Sequence, residues 1–148
     1  MKAAEYDLMR ELQGRHWWYA VLRGLVQEAL AGRLPPSGRL LDAGCGTGGM
    51  LVFLKEQIRD LDAAGVDAAE EAVRHCHQRG LSKVRSGAVE ALEFEDAVFD
   101  AVLSLDVLYH AGVNEEKALA EMCRVLRPQG LLVVNLPAFD GLRGSHDV

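Results

Sequence analysis

The sequence contains little of what marks a secreted, membrane-spanning or disulfide-bonded protein. It has three cysteines and four prolines in 148 residues. The cysteines are odd in number and widely spaced, which predicts reduced thiols and not a disulfide framework. No apolar run approaches the roughly 20 residues that a membrane span needs. The mixed-charge start MKAAEYDLMRELQ is unlike a secretory signal, so we expect a cytoplasmic protein.

Basic residues are too few and too dispersed for a surface that grips a nucleic acid. The chain has 16 Lys and Arg against 22 Asp and Glu, a net charge of -6. Its densest basic segment, residues 74–85, is better explained as a solvated helix face and turn. We therefore expect no nucleic-acid partner. The run His75-Cys76-His77 predicts no metal site, because neighbouring helical residues point about 100° apart and no second ligand pair is evident.

Short apolar segments alternate with helical patterns over most of the chain. Strands are predicted at residues 39–43, 63–66, 84–86, 101–105 and 131–136. Helices are predicted at residues 6–12, 16–31, 47–58, 69–78 and 115–126, with Asp67-x-x-Glu70 and Asn114 as starting signals. This alternation predicts an α/β fold, a Rossmann-like doubly wound parallel sheet of about five strands with helices on both faces. We expect an N-terminal helical cap segment at 1–34 and a cofactor-binding core at 35–148.

The segment LLDAGCGTGG, residues 40–49, follows the first predicted strand and opens the next helix. Its glycines fit the Gly44-x-Gly46-x-x-Gly49 pattern of dinucleotide-binding folds. The same residues fit the Asp42-x-Gly44-x-Gly46-x-Gly48 loop of S-adenosylmethionine (SAM) methyltransferases. Glycines let the backbone approach a ligand, and a helix N-terminus favours anionic groups, so the spacing alone leaves both cofactors open.

Two aspartates near this loop narrow the choice of cofactor. Asp67, at the end of the second predicted strand, suits the ribose hydroxyls of either cofactor, or it caps the next helix. Asp42 would repel a pyrophosphate, whereas the cationic centres of SAM would tolerate it. An alternative role for Asp42 is to bind loop N–H groups. Asp42 therefore favours SAM, whereas Asp67 suits either cofactor.

Four segments resemble the class I SAM-dependent methyltransferases, and more narrowly the small-molecule group related to quinone biosynthesis. They are residues 40–48, AGVDAAEEAV at 64–73, SGAVEALEFEDAVFDAVLSLDVLYH at 86–110, and RVLRPQGLLVVNLPA at 124–138. Because these segments follow one another in the family's order over about two-thirds of the chain, the resemblance implies the family's fold and its cofactor, SAM.

The resemblance also implies the roles of individual residues. Gly44, Gly46 and Gly48 would wrap the methionine part of SAM, and Asp67 would bind the ribose hydroxyls. Residues 88–90 would lie beside the adenine, although many relatives have Asp or Ser where this chain has Ala88. Leu105 and Asp106 would lie near the methionine end. The predicted cofactor site comprises Asp42, Gly44, Cys45, Gly46, Thr47, Gly48, Asp67, Ala68, Ala88, Val89, Glu90, Leu105, Asp106, Tyr109 and Trp18.

Both ends of the sequence resemble one subgroup of this family. HWWYAVLRGL, residues 16–25, is similar to an aromatic segment followed by an arginine that lies across the cofactor mouth. Its rings would cover the sulfonium by cation–π attraction or would fix a helix to the sheet. NLPAFDGLRGSHD, residues 135–147, resembles the exit of the fifth strand. A further antiparallel strand pair is expected after it in a complete fold, so we predict an exposed sheet edge that a homodimer would cover.

Methyl transfer is an in-line displacement that needs alignment more than catalytic groups. Candidate bases are His110 and His16, with His146 as a third, and each also has a structural interpretation. Because LDVLYH stands where nitrogen methyltransferases carry an Asn/Asp-Pro-Pro-aromatic turn, we predict methylation of oxygen or carbon in a small organic acceptor. The alternatives are a non-catalytic SAM-binding or partner-binding fragment and an NAD-dependent oxidoreductase.

Overall fold

In the computed structural model, which describes residues 17–137, five parallel strands form one sheet with helices packed against it. In chain order the elements are α1 (Trp17–Leu30), β1 (Arg39–Ala43), α2 (Gly49–Gln57), β2 (Asp62–Asp67), α3 (Glu70–Gln78), β3 (Val84–Ser86), β4 (Phe99–Leu105), α4 (Glu115–Val125) and β5 (Leu126–Asn135). The predicted α/β fold is confirmed.

The strand order β3-β2-β1-β4-β5 places a change of direction between β1 and β4. The chain first builds outward from β1 through β2 to β3, then crosses to the other side of β1 with β4. Leu41 of β1 pairs with Ala64 of β2 on one side and with Val102 of β4 on the other. In parallel sheets the crevice for a ligand opens at such a point, beyond the carboxyl ends of the strands.

Alternate residues of the strands build two apolar cores, one on each face of the sheet. Leu40 of β1 points to the face covered by α1, α2 and α3, where Leu51 and Cys76 are also buried. Leu41 points to the opposite face, which α4 covers with Met122 among its buried residues. This period of two, buried on both faces, is what a sheet between two helical layers requires.

The predicted strand boundaries are confirmed for β1 and β3, whereas β2, β4 and β5 are longer than predicted. The largest difference is in β5, which already pairs at Leu126 with Phe99 and then bulges before pairing resumes at Leu131. Gln129 lies in the bulge with φ 65°. Arg127 holds it by donating from Nη1 to Asp100 Oδ1 at 2.8 Å. Residues 128–130, Pro-Gln-Gly, thus lie in a bulge within the strand.

Two helices begin later than predicted. The helix predicted from Thr47 begins at Gly49, because Gly48 keeps a left-handed backbone with φ 80°. The helix predicted from Ala69 begins at Glu70, and Ala69 occupies the N-cap position, where its methyl side chain cannot accept a hydrogen bond from the helix. By contrast, Asn114 caps α4 as predicted, since its side chain accepts from the Lys117 N–H at 3.0 Å.

The helix predicted at residues 6–12 lies outside the described residues. Among residues 17–137, no helix has both the length and the apolar character needed to cross a membrane.

Candidate functional site

A cleft of about 960 Å³ opens at the carboxyl ends of β1, β2 and β4. Such a volume is typical of a site for a cofactor-sized ligand. Residues from six segments line it: Tyr19, Leu22, Arg23, Asp42, Gly44, Cys45, Gly46, Gly49, Met50, Asp67, Ala68, Gly87, Ala88, Val89, Glu90, Leu105, Asp106, Val107, Tyr109, His110, Ala111, Gly112 and Val113. A smaller groove of about 340 Å³, at the opposite end of β2, contains none of the predicted site residues.

The glycine loop between β1 and α2 forms the floor of the cleft. Gly44 has φ +89°, and a Cβ there would lie 2.3 Å from Val107 Cγ2. Gly48 has φ +80°, and a Cβ there would lie 2.4 Å from Leu81 Cδ1. Side chains are therefore excluded by backbone conformation and by space at both positions. At Gly44, which lines the cleft, this leaves backbone at the surface where a ligand would approach, whereas Gly48 is buried against Leu81 and Cys76.

Asp67 connects the glycine loop to the end of β2. Its Oδ2 accepts from the Gly46 N–H at 2.8 Å, and its Oδ1 accepts from the Ala69 N–H at 3.0 Å. Asp67 therefore stabilises the turn before α3 without being its N-cap. A carboxylate has about four acceptor positions, so each oxygen keeps acceptor capacity toward the cleft.

Asp42 lies beneath the loop in an environment that opposes its charge. It is only 2% exposed, and its Oδ1 has no hydrogen-bond partner among the described residues. Burial, and secondarily the charge of Asp67, raise the pKa of Asp42 to about 7. The alternative role for Asp42 was to bind loop N–H groups. Among residues 17–137, no loop N–H donates to Asp42 Oδ1. An unpaired buried carboxylate is costly, and a cationic ligand in the cleft would compensate it.

The segment after β3 forms the wall predicted to face adenine. Val89 is buried, whereas the Ala88 side chain is exposed. Glu90 lines the cleft, and its Oε1 also accepts from the Asn114 N–H at 2.9 Å. Glu90 thus fixes the start of α4 against this wall.

Beyond β4, aromatic and ionisable side chains form the outer part of the cleft. The Tyr109 and His110 rings are stacked, with centroids 4.6 Å apart and planes 25° apart. His110 is exposed, while Tyr109 is partly buried. Both line the cleft together with Asp106, so the structure brings the predicted base candidate next to the predicted cofactor residues.

Residues 41–134 match the family model described as a methyltransferase domain. The chain belongs to this family.

This methyltransferase domain is similar in sequence to two bacterial methyltransferases. It is 38% identical over 132 residues to the ubiquinone biosynthesis O-methyltransferase of Methylocella silvestris, covering 84% of this chain and 48% of that protein. It is 34% identical over 114 residues to phthiotriol/phenolphthiotriol dimycocerosates methyltransferase 1 of Mycobacterium ulcerans, covering 74% of this chain and 40% of that protein. The domain therefore spans about half the length of the curated relatives that it matches.

Comparison with solved structures supports the same family. The domain superposes on DesVI of Streptomyces venezuelae with a TM-score of 0.75 and 26% identity, covering 97% of this chain and 61% of that chain. The predicted membership of the class I SAM-dependent methyltransferases is confirmed.

Some predicted site residues of the methyltransferase domain lie outside the cleft. Trp18 is on α1 but does not line it, and the next residue, Tyr19, does. Thr47 and Gly48 are buried behind the loop, where Arg79 Nη1 donates to the Thr47 carbonyl at 2.8 Å. The base candidates at positions 16 and 146 lie outside the described residues.

Several cleft residues of the methyltransferase domain were not among the predicted site residues, above all Arg23, although its segment was predicted to lie across the cofactor mouth. Arg23 lines the cleft, and its guanidinium lies 5.4 Å from the centre of the Phe53 ring. The signal was present, because Arg23 follows the aromatic run, but only the packing of α1 against α2 shows where it points. Met50 and residues 111–113 carried no such signal. Among residues 17–137, no group of three potential metal ligands is found.

Proposed function

We propose that this domain binds SAM in the cleft and transfers its methyl group to an oxygen or carbon atom of a small organic acceptor. The observation that carries the proposal is the buried Oδ1 of Asp42, which has no hydrogen-bond partner among the described residues and lies beneath the glycine loop. Asp67, Glu90 and Asp106 add further carboxylates to the cleft. These carboxylates would attract a cofactor that carries a sulfonium and an ammonium group, and they would repel a pyrophosphate.

The residues of the cleft suit the separate parts of SAM. Backbone at Gly44 and Gly46 would face the methionine part, and Asp67 would accept from both ribose hydroxyls. Val89 would form an apolar wall for adenine. Arg23, which the sequence did not predict as a ligand, offers the methionine carboxylate a guanidinium held over Phe53. The remaining predicted contacts, at Cys45, Ala68 and Leu105, complete the walls.

Bound SAM supplies a methyl group already activated for displacement by its positive sulfur. The protein's part is then to hold the acceptor in line with that methyl group and to exclude water. The acceptor would lie at the outer part of the cleft, against Tyr109, His110 and residues 111–113. His110 is exposed and lines the cleft, so its imidazole can act as the base that removes a proton from an acceptor hydroxyl. The ubiquinone-biosynthesis relative, by its name an O-methyltransferase, supports oxygen as the methylated atom.

Binding is tested by calorimetric titration of SAM into the wild type, Asp67→Asn and Asp60→Asn. Asp60 is an exposed aspartate at the opposite end of β2, so it is a matched control. We expect micromolar binding by the wild type and the control, and affinity at least ~10-fold lower for Asp67→Asn because hydrogen bonds to a charged group are lost. Absence of SAM binding by the wild type, or displacement of SAM by NAD, would contradict the proposal.

Turnover is tested separately with tritium-labelled SAM and a panel of phenols, aliphatic alcohols and activated carbon acids. We expect label in an oxygen- or carbon-methylated product, and a lower rate near neutral pH for His110→Phe, which keeps a planar ring against Tyr109. SAM binding without methylation of any compound in the panel would favour a non-catalytic SAM-binding role.

Two further parts of the proposal concern the whole protein. We propose a cytoplasmic location, supported by the free thiols of Cys45, Cys76 and Cys123. We also propose that a second copy of the chain packs along β5, which pairs with β4 alone among the described strands.

A further inference from the structure

Asp106 has an unusual backbone at the rim of the cleft. It directly follows β4 and has φ 57°, a left-handed conformation that costs a residue with a Cβ about 1 kcal/mol or more. Such a conformation persists only where the surroundings hold it. The next residue, Val107, packs on Gly44 of the glycine loop, so Asp106 lies beside the part of the cleft assigned to methionine.

Asn135, the last residue of β5, holds Asp106 by two hydrogen bonds. The Asp106 N–H donates to the Asn135 carbonyl at 3.0 Å. The Asn135 side-chain Nδ2 donates to Asp106 Oδ1 at 2.6 Å. Asn135 thus binds both the backbone and the side chain of Asp106, and it does not itself line the cleft.

The side chain at position 135 has to be a neutral donor for this arrangement. A carboxylate there would repel Asp106, and an aliphatic side chain would leave Oδ1 without its amide partner. With the amide in place, the Asp106 carboxyl group is held where it lines the cleft. Asp106 also affects Tyr19 of α1. Burial raises the pKa of the Tyr19 phenol, and Asp106 raises it further.

We propose that Asn135 is a positioning residue for the cofactor: it fixes the Asp106 carboxylate so that it accepts from the ammonium group of the methionine part of SAM. This inference rests on the proposed function and adds to it a residue of β5 that acts only through Asp106.

The inference is tested by the affinities of SAM and of 5′-methylthioadenosine, which lacks the amino-acid part. For Asn135→Leu we expect SAM affinity about 10-fold lower, because Asp106 Oδ1 loses the hydrogen bond from the Asn135 amide. The affinity for methylthioadenosine should stay unchanged. Val134→Ala, at the neighbouring exposed position of β5, should leave both affinities unchanged.

A double-mutant cycle with Asp106→Asn checks that the effect passes through Asp106. In that background Asn135→Leu should cause no further loss of SAM affinity. Equal losses for SAM and methylthioadenosine would show a merely structural role and overturn the inference, as would an unchanged affinity for SAM. Failure of the proposed function is a different result, namely no SAM binding by the wild type.

Discussion

At the scale of single residues, the two aspartates beside the glycine loop have opposite surroundings. Asp67 accepts two backbone N–H groups, which stabilise its charge. Asp42 is buried, and its Oδ1 has no hydrogen-bond partner among residues 17–137, so its charge is opposed. A ligand that brings positive charge into the cleft is therefore stabilised most by Asp42.

Asp42→Asn should stabilise the domain in a pH-dependent way. The pKa of Asp42 is raised to about 7, above its unfolded value of 3.8, so the folded state binds more protons between these values. Burial of Asp42 therefore costs little near pH 4 and costs most above pH 7. The free energy of unfolding of Asp42→Asn should exceed that of the wild type at both pH 5 and pH 8. The difference between the two proteins should be about 2 kcal/mol larger at pH 8 than at pH 5.

Urea unfolding at the two pH values measures this gain. Asp60→Asn, the same chemical change at an exposed site, should show no such pH dependence. An Asp42→Asn difference that is identical at pH 5 and pH 8 would mean that Asp42 is not protonated in the empty cleft.

Gly48→Ala and Gly80→Ala separate backbone strain from lack of space. Both glycines have φ +80°, but a Cβ at Gly80 meets nothing within 4 Å, whereas a Cβ at Gly48 would lie 2.9 Å from Cys76 Sγ as well as close to Leu81. We expect Gly48→Ala to lower the free energy of unfolding by about 2 kcal/mol more than Gly80→Ala, since only it overpacks. Chemical denaturation measures both, and equal losses would contradict the packing argument.

At the scale of elements, one side chain of α4 holds the segment that leads away from the adenine wall. Arg124 donates to the carbonyls of Leu92 and Phe94 and to the carboxylates of Asp96 and Glu121, at 2.7–2.8 Å. The Glu121 carboxylate in turn accepts from the Leu92 N–H at 2.8 Å. A loop without regular structure is thereby fixed to a helix on one face of the sheet.

Arg124→Met should loosen this segment, because backbone carbonyls lose their donors. We expect the Tm to fall by about 5 °C and the amides of residues 91–97 to exchange faster with deuterium. Arg74→Met removes only an exposed ion pair with Glu71 and should change the Tm by about 1 °C or less. Unchanged exchange in residues 91–97 would show that the segment is held by other contacts.

At the scale of the whole molecule, the edge of the described sheet formed by β5 carries exposed apolar side chains. Val134 of β5 is 38% exposed and Leu136, just beyond it, is 47% exposed. Unpaired strand edges with apolar side chains favour pairing with another strand. This is the basis for the proposed self-association along β5.

Val134→Lys should weaken that association by placing a charge on the edge. Sedimentation velocity over a range of protein concentrations should show a dimer for the wild type and more monomer for Val134→Lys. Gln57→Lys adds the same charge to an exposed position of α2 and should leave the dimer intact. A wild type that stays monomeric at all concentrations would contradict the proposal.

Local patterns were enough to predict the strands, the glycine loop and the cap at Asn114, because each depends on neighbouring residues. The late start of α2 was not predicted, because glycine adopts left-handed and right-handed backbone conformations about equally well. The sequence therefore does not show which conformation Gly48 takes. The contact between Asn135 and Asp106 joins two strands 29 residues apart in sequence, and it depends on their register. The position of Arg23 likewise depends on how α1 packs.

The adjacency of β1 and β4 also has a kinetic consequence. The Arg39 N–H donates to Asp100 Oδ2 at 2.8 Å, although the two residues are 61 positions apart. Such long loops close slowly, so sheets built from distant parallel strands fold more slowly than local structures. The cleft exists only after this closure, and ligand binding should therefore report a late step of folding. During synthesis on the ribosome, β4 must therefore emerge before the glycine loop can form part of a ligand-binding cleft.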